Sequence, residues 1–316
     1  MTQPSSRLVF ITFALAFFVI LLGAYTRLTD AGLSCPDWPN CYGYMTAPHT
    51  DAQLAGAAKQ YPMTPVNVKK AWTEMTHRYF AGTEGILILI LAISTLFARQ
   101  YKQLKSSALA ITLVALVLVQ VMLGMLTVTE KLKPVIVLAH LLTGLSILSL
   151  LWWAYVDARW RDQFLARSTR LSRWIGAGLL IVAAQIALGG WVSTHYAGLA
   201  CVDFPYCNGQ LLPNLQWSHL DSDLISIHML HRIGAFFTAC YIGVLSLVLL
   251  NNSFLRANGL VLLALIGLQI TLGILNIVWL RPVSIALIHQ AVAILLLLTV
   301  IATLIKSTYF TRKRYV

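Results

Sequence analysis

Charged residues are scarce in this chain. They make up 11% of its 316 residues, against 58% hydrophobic residues, whereas a soluble domain has about 25% charged residues. This scarcity excludes a large soluble domain. Apolar runs of about 18 or more residues recur along the whole chain, which is typical of a helical membrane protein that crosses the bilayer several times.

Eight apolar runs predict an all-α polytopic membrane protein with eight transmembrane helices. The predicted spans are Leu8–Leu28, Trp72–Ala98, Ser107–Thr127, Val135–Val156, Leu171–Ser193, Leu224–Leu250, Ala257–Trp279 and Val283–Lys306. The first span follows only MTQPSSR and has no small-residue cleavage site after it. We therefore expect an uncleaved first helix rather than a signal or transit peptide.

Acidic residues are the scarcer of the two charge types, with 11 Asp and Glu against 23 Lys and Arg. The resulting net charge of +12 is compatible with nucleic-acid binding, but its distribution indicates another origin. Basic residues fall in alternate connections: near Arg7, around Arg99, between Arg159 and Arg173, at Arg256 and in the tail 306–314. By the positive-inside rule both termini are cytoplasmic, so the charge is mainly a topology signal and no nucleic-acid partner is expected.

Cysteine is also rare, with five in the chain. Four lie in the two long connections predicted to be outside the cytoplasm, within CPDWPNC (Cys35, Cys41) and CVDFPYC (Cys201, Cys207). Cysteines so spaced outside the cytoplasm usually form disulfides, either as loop staples or as a catalytic redox pair. The remaining one, Cys240, is expected to pack inside its span. So few thiols within the spans disfavour a zinc site.

The chain contains an internal repeat. GAYTRLTDAGLSCPDWPNCYG (Gly23–Gly43) resembles GGWVSTHYAGLACVDFPYCNG (Gly189–Gly209), and EMTHR resembles HMLHR. QVMLG and QITLG also match, and each is followed by a histidine twenty residues after its glutamine. Because each repeat contains four spans, both copies enter the membrane from the same side, which predicts two parallel-repeat four-helix bundles.

The repeat predicts three segments. Residues 1–156 form an N-terminal four-helix bundle with the first cysteine loop, and residues 157–174 form a basic cytoplasmic linker. Residues 175–316 form a C-terminal four-helix bundle with the second cysteine loop.

Four histidines occupy matching positions in the two halves: His77, His140, His231 and His289, called here the membrane histidines. Each lies five to seven residues inside the outer end of its span, which is roughly 8–9 Å below the membrane boundary. A single such histidine is often only an interhelical hydrogen-bonding group. Two at one height in a bundle favour axial ligation of a haem iron between apolar walls.

Three arginines near the outer ends of spans are candidates for binding haem propionates: Arg27, Arg78 and Arg232. Charge-assisted hydrogen bonds would hold the carboxylates. The alternative is that these side chains extend to the lipid headgroups.

Glu74 and His228 mark the difference between the two halves. Glu74 precedes His77 by three residues and so shares its helix face, and His228 takes that position before His231. A half-buried acid beside an iron ligand is suited to proton transfer. The alternative is a surface carboxylate paired with Arg78 or Lys70.

These motifs together resemble the haem A synthase family. The resemblance rests on GLSCPDWPNCYG, EMTHR, the later histidines and the eight-span duplicated layout, and it covers essentially the whole chain. It implies an oxidoreductase in the bacterial inner membrane that oxidises the C8 methyl group of haem O to a formyl group. The product, haem A, serves terminal cytochrome oxidases.

The resemblance also implies site roles. His77 and His140 would flank the substrate haem O, His231 and His289 would ligate a resident haem b, and Glu74 would be catalytic. It implies disulfides Cys35–Cys41 and Cys201–Cys207. Oxidising a methyl to an aldehyde removes four electrons, so a second haem offers an electron path.

The expected partners follow from that chemistry. A haem O synthase, a farnesyltransferase of the same membrane, would supply haem O. An electron carrier would take part, and a homo-oligomer is possible.

Two other functions explain part of the pattern. A membrane protein with bis-histidine haem that only transfers electrons would use the histidines but not Glu74. A parallel-repeat transporter would use the intramembrane Glu and His for proton coupling and would bind no haem.

Overall fold

The computed structural model describes residues 4–97, 104–160 and 169–309. Several predicted features lie outside them: the basic residues Arg99 and Lys102, residues 161–168 of the 157–174 linker and most of the basic tail.

The described residues fold into α-helices joined by loops and short 3-10 turns. The α-helices are α1 (Pro4–Leu28), α2 (Asp51–Gln60), α3 (Val68–Phe97), α4 (Leu104–Thr129), α5 (Pro134–Trp160), α6 (Thr169–Thr194), α7 (Leu224–Leu250), α8 (Arg256–Val278) and α9 (Val283–Tyr309). Eight of these described helices are long and apolar enough to cross a membrane. This confirms the prediction of a helical protein with eight spans.

Helix α2 lies in the connection between α1 and α3, and the span prediction missed it. It is too short and polar for a span, but it begins with a capping box. Thr50 accepts a hydrogen bond from Gln53 N–H, and the Gln53 side chain accepts one from Thr50 N–H. The sequence signal was present, because Thr-x-x-Gln is a helix-start pattern.

The chain divides into two compact units, Met1–Leu151 and Trp152–Val316, called here the first and second unit. In the first unit α3 packs against α1 and α4. In the second unit α7 packs against α6 and α8, and α9 packs against α6 and α8.

Packing in the second unit combines aliphatic and polar contacts. Ile175, Ile242 and Leu262 are fully buried in its core. Asn258 on α8 donates to Thr303 Oγ1 on α9 at 3.0 Å. Such an interhelical hydrogen bond within a membrane contributes about 0.6 kcal/mol, so close packing of apolar side chains remains the main stabilising contact.

The prediction for Cys240 was wrong. Its side chain is exposed on α7 rather than packed inside the unit, because helical periodicity places it beside the exposed Phe236 and Phe237. A small apolar residue in a span does not reveal which face it occupies.

Candidate functional site

Each of the four membrane histidines rests on a glycine of a neighbouring helix. On α3, His77 contacts Gly23 of α1 so closely that a Cβ added to this glycine would lie 2.9 Å from His77 Cε1. The corresponding distances are 3.3 Å for Gly124 and His140, 3.1 Å for Gly189 and His231, and 3.3 Å for Gly273 and His289. The rings therefore face neighbouring helices of their own unit and lie against bare backbone.

A glycine has a second effect in this position. The Cβ of a helical residue leans over the preceding turn, so its absence uncovers the carbonyl four residues earlier. The backbone at Val19, Gln120 and Gln269 accordingly interacts with the rings of His77, His140 and His289. Three of the four glycines, those beside His77, His140 and His289, thus provide both space for an imidazole and a polar backbone surface beside it.

The histidines are grouped in pairs. His77 and His140 lie near enough to interact electrostatically in the first unit, and His231 and His289 do so in the second. Among the described residues, no three side chains of His, Cys, Asp or Glu come together as a metal site. The arrangement therefore offers two imidazoles per unit, on two helices.

Unpartnered buried polar atoms concentrate around these pairs. In the described part of the chain, buried side-chain atoms without a hydrogen-bond partner are His77 Nδ1, His140 Nδ1, His289 Nδ1, Gln120 Oε1, Gln185 Oε1, Gln269 Oε1 and Asn276 Oδ1. Buried polar groups are normally hydrogen-bonded. Their concentration beside paired imidazoles fits a bound group that takes nitrogen ligands within apolar surroundings, as an iron porphyrin does.

Glu74 is buried, with 4% of its surface exposed. Its Oε2 accepts hydrogen bonds from Cys35 N–H at 2.9 Å and from the Ser34 hydroxyl at 3.1 Å. Its Oε1 lies 2.5 Å from Arg78 Nη2. The carboxylate is therefore paired with Arg78, as one interpretation of the sequence held, but it lies inside the protein rather than at the surface.

Arg78 forms hydrogen bonds with the backbone of the first disulfide loop. Its Nη1 donates to the carbonyl oxygens of Asp37 at 3.0 Å, Pro39 at 3.1 Å and Asn40 at 2.7 Å. At the end of α1, Arg27 lies 3.6 Å from the carboxylate of Asp30. Arg78 thus connects the His77 helix to the loop that covers it.

The second unit repeats this arrangement with a different side chain. His228 Nδ1 lies 3.4 Å from Cys201 N, and its Nε2 accepts from Arg232 Nε at 3.2 Å. Arg232 also donates to the carbonyls of Cys201, Asp203 and Tyr206. His228 therefore occupies the structural place of Glu74, with a different charge and without a hydroxyl donor such as Ser34, because Ala200 stands at that position.

The covering loops are closed by disulfides, Cys35–Cys41 in the first unit and Cys201–Cys207 in the second. An aspartate shapes the turn after each. Asp37 accepts from Tyr42 and Gly43 N–H, and Asp203 accepts from Asn208 and Gly209 N–H. The bond from Gly209 contributes most to lowering the pKa of Asp203.

Both turns use a glycine at a conformation that other residues avoid. Gly43 and Gly209 each have φ of +81°, which glycine adopts without the steric penalty of a Cβ. This backbone conformation therefore explains why both loops end in Cys-x-Gly.

A cleft of about 320 Å³ lies in the first unit. It is lined by residues of the connections around α2 and of the first turn of α3, namely Asp30, Leu33, Ser34, Tyr42, Met63, Thr64, Pro65, Asn67 and Lys70. Burial, together with the charges of Glu74 and Asp37, raises the pKa of the Tyr42 phenol, which keeps it protonated. Since Ser34 borders the cleft and donates to Glu74, one hydroxyl separates this carboxylate from the cleft.

Sequence reasoning missed the glycines and glutamines beside the membrane histidines. Both residue types recur in the two halves, at Gly23 and Gly189 and in the QVMLG and QITLG segments. Their repetition was the available signal. It did not show which of them contacts a histidine, because that depends on the rotation of one helix against the next.

Comparison with known proteins gives consistent matches over nearly the whole chain. The model of the cytochrome oxidase assembly protein family matches residues 6–301. A protein of Shewanella oneidensis named haem A synthase is 40% identical, over 92% of this chain and 93% of its own length. Proteins of the same name from Caulobacter vibrioides and Neorickettsia sennetsu are 28% and 26% identical, over 94% and 88% of this chain and 94% and 91% of their own lengths.

Proposed function

The chain belongs to the haem A synthase family of cytochrome oxidase assembly proteins, and we propose that its first unit oxidises haem O while its second unit holds a haem b. It is a multi-pass membrane enzyme that acts on haem and converts haem O to haem A. Within that conversion we assign the chemistry to the C8 methyl group, which becomes a formyl group in an oxidoreductase reaction.

The observation that carries this assignment is the difference between the two units. Both units have paired histidines on glycines and an arginine that holds a disulfide loop. The first unit alone has a carboxylate, Glu74, where the second has His228. A carboxylate beside one pair and an imidazole beside the other supports placing the reaction at the first pair, because only the carboxylate brings a negative charge as well as a basic oxygen.

The residues of the first unit would bind and orient the substrate. His77 and His140 would hold the haem O iron from two helices, which fixes the porphyrin edge relative to Glu74. Of the arginines proposed for the propionates, Arg27 lies at the end of α1, while Arg78 and Arg232 also bind loop carbonyls.

Glu74 would take up a proton released at the methyl group. Its Oε2 is hydrogen-bonded to the Ser34 hydroxyl, and Ser34 borders the cleft. Proton release to the outside would follow this route. The ion pair with Arg78 orients the carboxylate and keeps it beside the substrate.

In the second unit, His231 and His289 would ligate haem b. A haem there would supply one-electron redox chemistry for a reaction that must lose four electrons. The disulfides Cys35–Cys41 and Cys201–Cys207 would hold the covering loops in place.

The topology and partners complete the proposal. We place the protein in the bacterial inner membrane with both termini in the cytoplasm and the cysteine loops outside, in agreement with the distribution of basic residues. Haem O would come from a farnesyltransferase of the same membrane, an electron carrier would accept the electrons, and the protein would assemble as a homo-oligomer.

Pigment extraction tests the function. Membranes that contain this protein and are supplied with haem O are expected to yield haem A on chromatography, whereas matched membranes without it retain haem O. A protein that binds haem but leaves haem O unchanged would instead be an electron-transfer protein. A purified protein without Soret absorption would contradict haem binding altogether.

Alanine at Gly23 is expected to reduce haem A formation by up to about 100-fold, because the added Cβ would lie 2.9 Å from His77 Cε1 and would displace the ring. The measurement is haem A formed per amount of purified protein. The matched control is Gly82→Ala on α3, since no atom lies within 4 Å of its added Cβ. Equal activity of the two variants would show that the position of His77 is not critical.

A further inference from the structure

In the second unit, a side-chain amide lies within hydrogen-bond distance of one of the proposed iron ligands. Gln185 of α6 places its Nε2 3.0 Å from His231 Nδ1 and donates from the same atom to the His231 carbonyl at 2.9 Å. Among the membrane histidines, all of which the structure describes, the other three have an Nδ1 without a hydrogen-bond partner. His231 is therefore held in a way that its counterpart His77 is not.

The corresponding position in the first unit is apolar. Gln185 stands four residues before Gly189, and Val19 stands four residues before Gly23. Val19 is buried and offers no polar side-chain atom. Only its backbone interacts with the His77 ring.

A second difference between the units accompanies the first. Gly234, three residues after His231, leaves the space that the Gln185 amide occupies, because a Cβ there would overlap Gln185 Oε1. Three residues after His77 stands Phe80, whose ring packs on Phe18 at 5.1 Å. The second unit thus combines an amide with a glycine, and the first combines a valine with an aromatic ring.

The amide has the chemistry that a metal-bound imidazole requires. When one ring nitrogen binds iron, the other carries the proton and needs an acceptor, which fixes the ring orientation and strengthens the ligand. Gln185 Nε2 lies within hydrogen-bond distance of His231 Nδ1, and Gln185 Oε1 has no partner. Since an amide carries both a donor and an acceptor, the same side chain can serve the haem-bound ring.

We propose that Gln185 is a positioning residue that fixes the His231 ring towards the haem of the second unit. Val19 has no side-chain group that could fix the His77 ring in the same way, and this allows the first unit to exchange its porphyrin. This inference rests on the proposed function, because it assigns a retained redox haem to one unit and a passing substrate to the other. A retained centre benefits from a rigid ligand. A substrate site has to release its iron in every turnover.

The test compares variants of the full-length protein purified with its haem. Gln185→Val introduces the residue of the first unit and is expected to accelerate haem loss to excess apomyoglobin about 10- to 100-fold, the usual effect of removing a residue that supports a metal ligand. It is also expected to broaden the low-spin electron paramagnetic resonance signal. Gln185→Glu keeps an acceptor, so it should retain the haem and shift its reduction potential to more negative values.

Two further variants keep the inference testable if Gln185→Val fails to fold. Gly234→Ala pushes the Gln185 amide away without removing it and is expected to accelerate haem loss in the same direction. Leu180→Ala, at an exposed position of the same helix, is the control and should behave as the wild type. Wild-type rates and spectra for both Gln185→Val and Gly234→Ala would overturn the role of Gln185.

The reciprocal change examines the first unit. Val19→Gln combined with Phe80→Gly is expected to slow release of the product porphyrin about tenfold while the second haem is unchanged. Unchanged release would overturn the explanation for Val19. A wild-type protein that retains no haem in its second unit would contradict the proposed function instead, so the two failures are distinguishable.

Discussion

Alanine at His231 or His289 is expected to remove the haem from the second unit, whereas alanine at His77 or His140 should stop haem A formation and leave that haem bound. Each histidine rests on its own glycine within one unit, so removing one ring affects a single pair. Loss of an iron ligand should exceed the roughly 100-fold effect of losing a supporting residue. The measurement is the Soret absorption of purified protein together with haem A in extracted pigments.

Because each histidine variant is assayed for both haem binding and haem A formation, the variants of one unit serve as controls for those of the other. His219→Ala changes an exposed histidine of the connection between α6 and α7 and should alter neither measurement. If His77→Ala and His231→Ala produced the same loss of Soret absorption and of haem A, the division of labour between the units would be wrong.

The sequence predicted the helices and the paired histidines because both depend on short-range patterns. Apolar runs determine the spans, and the internal repeat predicts histidines at equal depth. The spans agree with the structure to within a few residues at most ends, although α3 begins at Val68, one turn before the predicted Trp72. That extra turn is polar and was excluded by the hydropathy criterion.

The loop contacts could not be predicted from the sequence. Arg78 faces three backbone carbonyls, and their positions depend on the disulfide and on the turn that Asp37 shapes. Such contacts join residues about 40 positions apart through backbone atoms, which carry no residue-type signal. The same limit applies to Gln185, whose partner is determined by how α6 and α7 pack.

Glu74→Gln is expected to reduce haem A formation about 10²–10⁴-fold, which is the contribution of a positioned general base. The variant protein is expected to remain folded, with haem in its second unit. The amide preserves the shape of Glu74 and can still accept from Cys35 N–H and the Ser34 hydroxyl. What it loses is the negative charge and the ability to take up a proton. The measurement is haem A per haem b in purified protein.

Alanine at the same position has a different expected result. Both substitutions remove the counter-charge of Arg78, but alanine also leaves Cys35 N–H and the Ser34 hydroxyl without their acceptor. Losing the acceptor of a buried donor costs about 2 kcal/mol more, so we expect lower protein yield as well as lost activity. Comparing glutamine with alanine therefore separates proton chemistry from structural support.

The strongest form of this experiment exchanges the residues that distinguish the units. His228 meets Cys201 N–H and Arg232 much as Glu74 meets Cys35 N–H and Arg78. Glu74→His should therefore fold and keep the second haem but make no haem A. If Glu74→Gln or Glu74→His produced haem A at the wild-type rate, the carboxylate would serve only the disulfide loop, and the proton acceptor would have to be another group.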